Sequence, residues 1–141
     1  MAASTTRQRS FRLTDGTLHL LDERAAEHGE SSNALAQRLL HESLRLERHP
    51  LLRFREGGSG IRRPALAGTR LDVWQVIETL RAHDNDIENT ADYFAITPAQ
   101  VRACVGYYAD FQDEIDAYAA AEMDAAERER ARWEREQRVL G

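Results

Sequence analysis

The chain reads as a mainly α-helical protein with one short strand near its N-terminus, and three features of the sequence carry that reading. Period-two alternation marks Gln8-Arg9-Ser10-Phe11-Arg12-Leu13-Thr14; apolar residues at helical spacing recur through most of the rest of the chain; and Asp113 to Leu140 contains neither glycine nor proline. With 141 residues and 42% hydrophobic content there is room for two small domains but not for a large enzyme core.

Alternation places Phe11 and Leu13 on one face of the strand and Gln8, Ser10 and Arg12 on the other. A lone strand of this length does not survive in water, and no neighbouring segment reads as its partner, so a second copy of the chain is the natural one. Two such strands, antiparallel across a two-fold axis, form a ribbon that fits the major groove, with Gln8, Ser10 and Arg12 directed at base edges. Thr14 is the expected N-cap of a first helix whose apolar face is Leu18, Leu21 and Ala25, with Asp15 favourable at its positive end. Gly29 supplies the left-handed stop. Ser31 or Ser32 then caps a second helix with Leu35, Ala36, Leu39, Leu40 and Leu44 on one face.

Positions 7 to 48 therefore resemble a ribbon-helix-helix repressor. The resemblance implies that the start of the second helix grips a phosphate, which here falls to Ser31, Ser32 and Asn33, with Arg7 as a further phosphate contact. Arg9 departs from the pattern, because that strand position is usually apolar in the family. An ordinary dimerisation module is the plainer reading of the same elements. Charge placement favours DNA: residues 1 to 13 hold Arg7, Arg9 and Arg12 and no acid, on a chain whose net charge is −5.

After Arg48 the character changes. His49-Pro50 ends the second helix, and 49–60 reads as a linker or hairpin around Gly57-Gly58-Ser59-Gly60. That loop lacks the lysine and hydroxyl residue of a P-loop, so nucleotide binding is not expected. Arg53, Arg55, Arg62, Arg63 and Arg70 are candidates to extend a phosphate-contacting surface. Residues 61–118 form a second unit: Asp72 caps a helix over 73–82, Asp86 starts a short helix through Tyr93, Ala95-Ile96-Thr97 makes a tight turn, and Thr97-Pro98 opens a longer helix. Short helix, turn and longer helix is a helix-turn-helix outline.

Arg63-Pro64-Ala65-Leu66-Ala67-Gly68-Thr69-Arg70-Leu71-Asp72-Val73, Ile87 to Tyr93, and Thr97 to Arg102 through Tyr107-Tyr108 together look like the domain of unknown function 433 family. That resemblance implies a likeness to VapB-type antitoxins, proteins that often sit beside PIN-like ribonuclease toxins. The middle unit's charge argues against a second DNA reader, since from Asp84 to Tyr118 eight acids face one base, Arg102. It reads as a protein-binding or dimer-forming module.

Residues 119–141 are expected to continue a long helix, with Ala119, Ala126, Trp133 and Leu140 recurring every seven residues and Arg130 with Glu134 and Arg132 with Glu136 spaced for ion pairs. A solvated, ion-paired helix is the plain reading. The functional one is a partner-binding segment, with Trp133 and Leu140 as anchors and Arg128, Arg130, Arg132 and Arg135 near the acidic site of a toxin, as the antitoxin resemblance implies.

Catalytic and metal patterns are absent from the sequence. His19, His28, His41, His49 and His83 show no metal-ligand spacing, the lone Cys104 falls in an amphipathic pattern, and Asp110 to Asp116 reads as a solvated helix face. No cofactor, no metal and no enzymatic activity are expected, and neither a membrane-spanning run nor a signal-peptide start is visible, so a cytoplasmic bacterial location is expected. The reading that unites these features is a homodimeric or higher even-oligomeric antitoxin that binds double-stranded operator DNA, represses its own transcription and neutralises a PIN-like ribonuclease toxin. The alternative is a freestanding transcription regulator whose second domain binds another protein or a ligand.

Overall fold

The computed structural model describes residues 5–57 and 60–141, so Gly58 and Ser59 of the expected turn lie outside the described residues, as do residues 1–4. The described residues form mainly helix with one two-stranded antiparallel sheet, and the chain divides into two compact units, Met1–Leu44 and Arg45–Gly141.

In the first unit, residues 5–14 carry no helix or strand and make no ladder within the chain. Helix α1 (Asp15–His28) begins where Thr14 Oγ1 accepts the Thr17 amide at 3.2 Å, and it ends at Gly29, whose φ of 66° is left-handed. The amide of Glu30 then returns to the Ala25 carbonyl at 3.0 Å, which satisfies an end carbonyl of the helix. Of the two candidates, Ser31 is the cap of α2 (Ser32–Leu46): its hydroxyl accepts the Ala34 amide at 3.1 Å. Only Ala25 and Leu35 among the described apolar side chains of this unit are buried. Leu18, Leu39, Leu40 and Leu44, expected on the inner faces of the two helices, are exposed in the single chain, Leu44 by 65%. Two short helices and an unpaired arm have too little surface to cover one another.

The second unit begins inside the last turn of α2. Strands β1 (Leu52–Glu56) and β2 (Arg62–Leu66) pair with Phe54 opposite Pro64. Pro64 is tolerated because a two-stranded ribbon has only edges. Leu52, Phe54 and Leu66 are buried in the same core as α3 (Val73–Ala82), α4 (Ile87–Phe94), α5 (Pro98–Asp110) and α6 (Gln112–Leu140). The hairpin thus straddles position 60 and belongs to the second unit, because its inward side chains have no other core to enter. Val73, Val76, Val101, Cys104, Tyr107 and Ile115 fill the centre.

The caps read from the sequence recur in the second unit. Asp86 accepts the Asn89 amide at 3.0 Å, and Thr97 and Gln100 form a reciprocal capping box ahead of Pro98. The α3–α4 link, by contrast, uses Asp84 and Asn85 at φ of 54° and 61°, a left-handed pair that turns the chain without glycine. Ile115 and Ala119 are buried, so α6 enters the core well before position 119 and runs on as one continuous helix through it. No described helix is long and apolar enough to cross a membrane.

Candidate functional site

Among the described residues, the sequence-predicted site residues fall on two exposed surfaces: the arm and open groove of the first unit, with the start of α2 beside it, and the distal part of α6. In the first unit an apolar groove is lined by Phe11, Leu13, Leu21, Ala36, Leu39 and Leu40, with Thr17 and Ser43 at its margin. Phe11 and Leu13 share the groove, as period-two alternation requires, while Gln8, Ser10 and Arg12 are exposed and contribute nothing to it. Phe11 is 64% exposed. Water disfavours that state for an aromatic side chain, which buries roughly 150–250 Å² in a typical core. The single chain therefore presents a polar arm edge and an apolar arm edge, the second continuous with the open faces of α1 and α2.

At the start of α2, Ser31 spends its hydroxyl on the cap, and Ser32 Oγ donates to Asp22 at 2.6 Å. The first amides of the helix have no intrahelical acceptor, which suits an anion, but the Asp22 carboxylate already lies beside them. Asn33 and Arg7 are exposed. The expected phosphate grip runs through the backbone amides at this helix start, so the side-chain bonds of Ser31 and Ser32 do not replace it.

Three of the five hairpin-region arginines are taken up by the fold. Asp72, whose side chain is 2% exposed, takes Arg55 Nε at 2.7 Å and Arg63 Nε at 2.9 Å, and accepts Trp74 Nε1 at 3.2 Å. Arg63 also pairs through Nη1 with Glu122 on α6. A buried carboxylate is expensive without partners, and two guanidinium groups supply them. Arg62 reaches the Phe54 carbonyl at 3.5 Å, which leaves Arg53 and Arg70 as the exposed members of the set.

Three of the four acids from Asp110 to Asp116 likewise have structural work. Glu114 forms a two-oxygen pair with Arg45 Nε at 3.0 Å, Asp110 sits 2.8 Å from His49 Nε2, and Asp116 accepts the Tyr108 hydroxyl at 2.9 Å. The Glu114 hydrogen bond raises the Arg45 pKa against the opposing effect of burial, and Arg45 lies 5.5 Å from the centre of the Phe111 ring. Burial pushes the Cys104 thiol up to about 12, so it is a packed thiol and not a nucleophile. Among the described residues no three His, Cys, Asp or Glu side chains converge as metal ligands.

Along α6 the helix itself separates residues that look adjacent in sequence. Arg130 Nε reaches Glu134 at 3.2 Å and Arg132 Nε reaches Glu136 at 3.1 Å, as their spacing requires. Trp133 is 60% and Leu140 is 80% exposed. At about 100° per residue, Leu140 lies ~20° and Arg130 ~60° from Trp133, whereas Arg132 lies ~100°, Arg128 ~140° and Arg135 ~160° away. One flat partner surface cannot take Trp133 together with Arg128 and Arg135. The six expected partner residues thus divide into a Trp133, Leu140 and Arg130 face and an arginine face opposite, a division that requires only the helical period once the segment is known to be one unbroken helix.

Sequence reasoning missed the Asp72 hub and the Arg45–Glu114 and His49–Asp110 pairs, because nothing in the spacing of these residues brings them together. Similarity to known proteins falls on this second unit alone. No curated protein and no solved structure matches the chain. Residues 61–108, which carry β2, α3, α4 and most of α5, match the family model described as a protein of unknown function (DUF433).

Proposed function

We propose that this chain is a homodimeric DNA-binding antitoxin. Two copies would pair their residue 8–14 arms into a ribbon that closes the groove of Phe11, Leu13, Leu39 and Leu40 and turns Gln8, Ser10 and Arg12 outward to the bases. Trp133, Leu140 and Arg130 of α6 would bind and inhibit a PIN-like ribonuclease, the arginine competing for the carboxylates that hold its metal. One observation carries the dimeric DNA reading: a unit that buries only Ala25 and Leu35 among its described apolar residues lays others along a groove shared with Phe11 and Leu13 of an arginine-bearing arm. Such a unit is incomplete without a second copy, and the pairing that completes it also presents the polar arm edges. The helical core of the second unit, where Glu114, Asp110 and Asp116 are engaged by Arg45, His49 and Tyr108, has the features of a scaffold more than of a base reader.

Fluorescence anisotropy of the full chain on DNA from upstream of its own gene, repeated with Arg12→Ala, tests this. The variant is expected to weaken binding by roughly 1–3 kcal/mol for each base contact, once per protomer. Operator affinity unchanged by Arg12→Ala would remove the ribbon assignment.

A further inference from the structure

The arginines that face away from Trp133 form a stripe of their own. Arg128, Arg132, Arg135 and Arg138 succeed one another at intervals of four, three and three along α6, all exposed, over about 15 Å of helix. We infer that this stripe is a second, sequence-independent nucleic-acid contact, and that it lies along the phosphate backbone of duplex DNA.

Three observations support the assignment. Helix stability does not account for the arrangement: Arg128 and Arg135 make no ion pair among the described residues, and three successive like-charge neighbours along one face destabilise a helix. The helix dipole favours cations only in the last turn, which accounts for Arg138 and not for the other three. The face carries no aromatic side chain, only Ala131 and, at its end, Val139. A protein partner would find there a charged rim without an apolar centre, which is the weak part of an interface. A phosphate backbone needs no such centre. Duplex DNA offers one charge per about 1.7 Å of axis, so guanidinium groups spread over this length meet phosphates in any register. Glu136, at the margin of the face, is paired with Arg132, and Asp124 bounds the stripe one turn before Arg128. Glu127, Glu129 and Glu134 lie off this face though within a Debye length of about 10 Å of its arginines, so that the distal helix from Glu127 carries five arginines against four acids and the stripe is the side on which the positive charge collects.

The stripe lies outside the antitoxin function and does not need it: its residues cannot share the Trp133 face, and the nucleic acid it takes is contacted by charge alone. The test is anisotropy of the full chain on a duplex of random sequence, titrated with salt. Five proteins are compared: the unchanged chain, R128Q/R132Q/R135Q, W133A, the arm variant R7Q/R9Q/R12Q, and the stripe and arm variants combined. Glutamine matches arginine closely in helix propensity, and circular dichroism checks that α6 is retained. The stripe variant is expected to reduce the slope of log affinity against log salt by about 0.9 for each phosphate no longer neutralised, about 2.7 for each protomer, in the native background and again when combined with the arm variant. W133A is expected to leave the slope unchanged. A slope unaltered by R128Q/R132Q/R135Q, or an unchanged chain that does not bind random duplex at low salt, overturns the inference. A slope unaltered by the arm variant alone counts against the ribbon and leaves the stripe standing, so the two readings fail separately.

Discussion

Replacing Asp72 by asparagine isolates the charge at the centre of the second unit. Asparagine keeps the shape, an acceptor for Trp74 Nε1 and a competent N-cap for α3, so the perturbation is the loss of one negative charge between two guanidinium groups. The Asp72 side chain is 2% exposed and that of Arg63 10%, so water cannot replace what is removed there. Deleting one partner of a buried pair costs about 3–5 kcal/mol. The low end applies, because Arg55 is 28% exposed and can turn to solvent while Arg63 retains Glu122. A cost of about 3 kcal/mol in a unit of this size lowers the melting temperature by roughly 12–24 °C. Trp74 reports directly, since its indole donates to the carboxylate being altered. Urea unfolding followed by tryptophan fluorescence in a Trp133→Phe background gives the free-energy difference without signal from α6. A loss below about 1 kcal/mol would refute the reasoning, because it would place the hub among solvent-screened surface pairs.

Burial pushes the Cys104 thiol up to about 12 and raises the Tyr107 hydroxyl as well, so both groups hold their protons more tightly folded than unfolded. Their contribution to stability is whole below the ordinary thiol value of 9.0 and is lost as pH rises from there toward 12, so melting temperature should fall across that window in a pH series of thermal scans. Alkylation of Cys104 by iodoacetamide should be slow in the native chain and fast in urea; equal rates would contradict the burial. Truncation after Met123 should preserve the second unit, because Ile115, Ala119 and Glu122 remain, and should abolish capture of a ribonuclease encoded beside this chain while the Arg12-dependent part of operator binding persists. A truncated chain that still neutralises that ribonuclease would show that the distal helix is not the inhibitor.

What the sequence determined by itself is the part governed by neighbours three or four residues apart. Thr14, Gly29, Asp72, Asp86 and the Thr97-Pro98 pair mark helix ends through caps and left-handed turns whose chemistry is local, and the starts of α1, α3, α4 and α5 follow from them. The ion pairs along α6 follow from spacing in the same way. Gln8, Ser10 and Arg12 stand as candidate base readers on alternation alone, since the single chain forms no strand over 5–14. Only the tertiary structure decided which charges are consumed by the fold. Arg55, Arg63 and Glu122 converge around Asp72, and Arg45 meets Glu114, through packing of elements far apart in the chain, and no periodicity encodes such meetings. The tertiary structure likewise decided that Leu39, Leu40 and Phe11 stay open in one copy, because burial depends on what surface is available to cover a side chain and not on the side chain's own hydrophobicity.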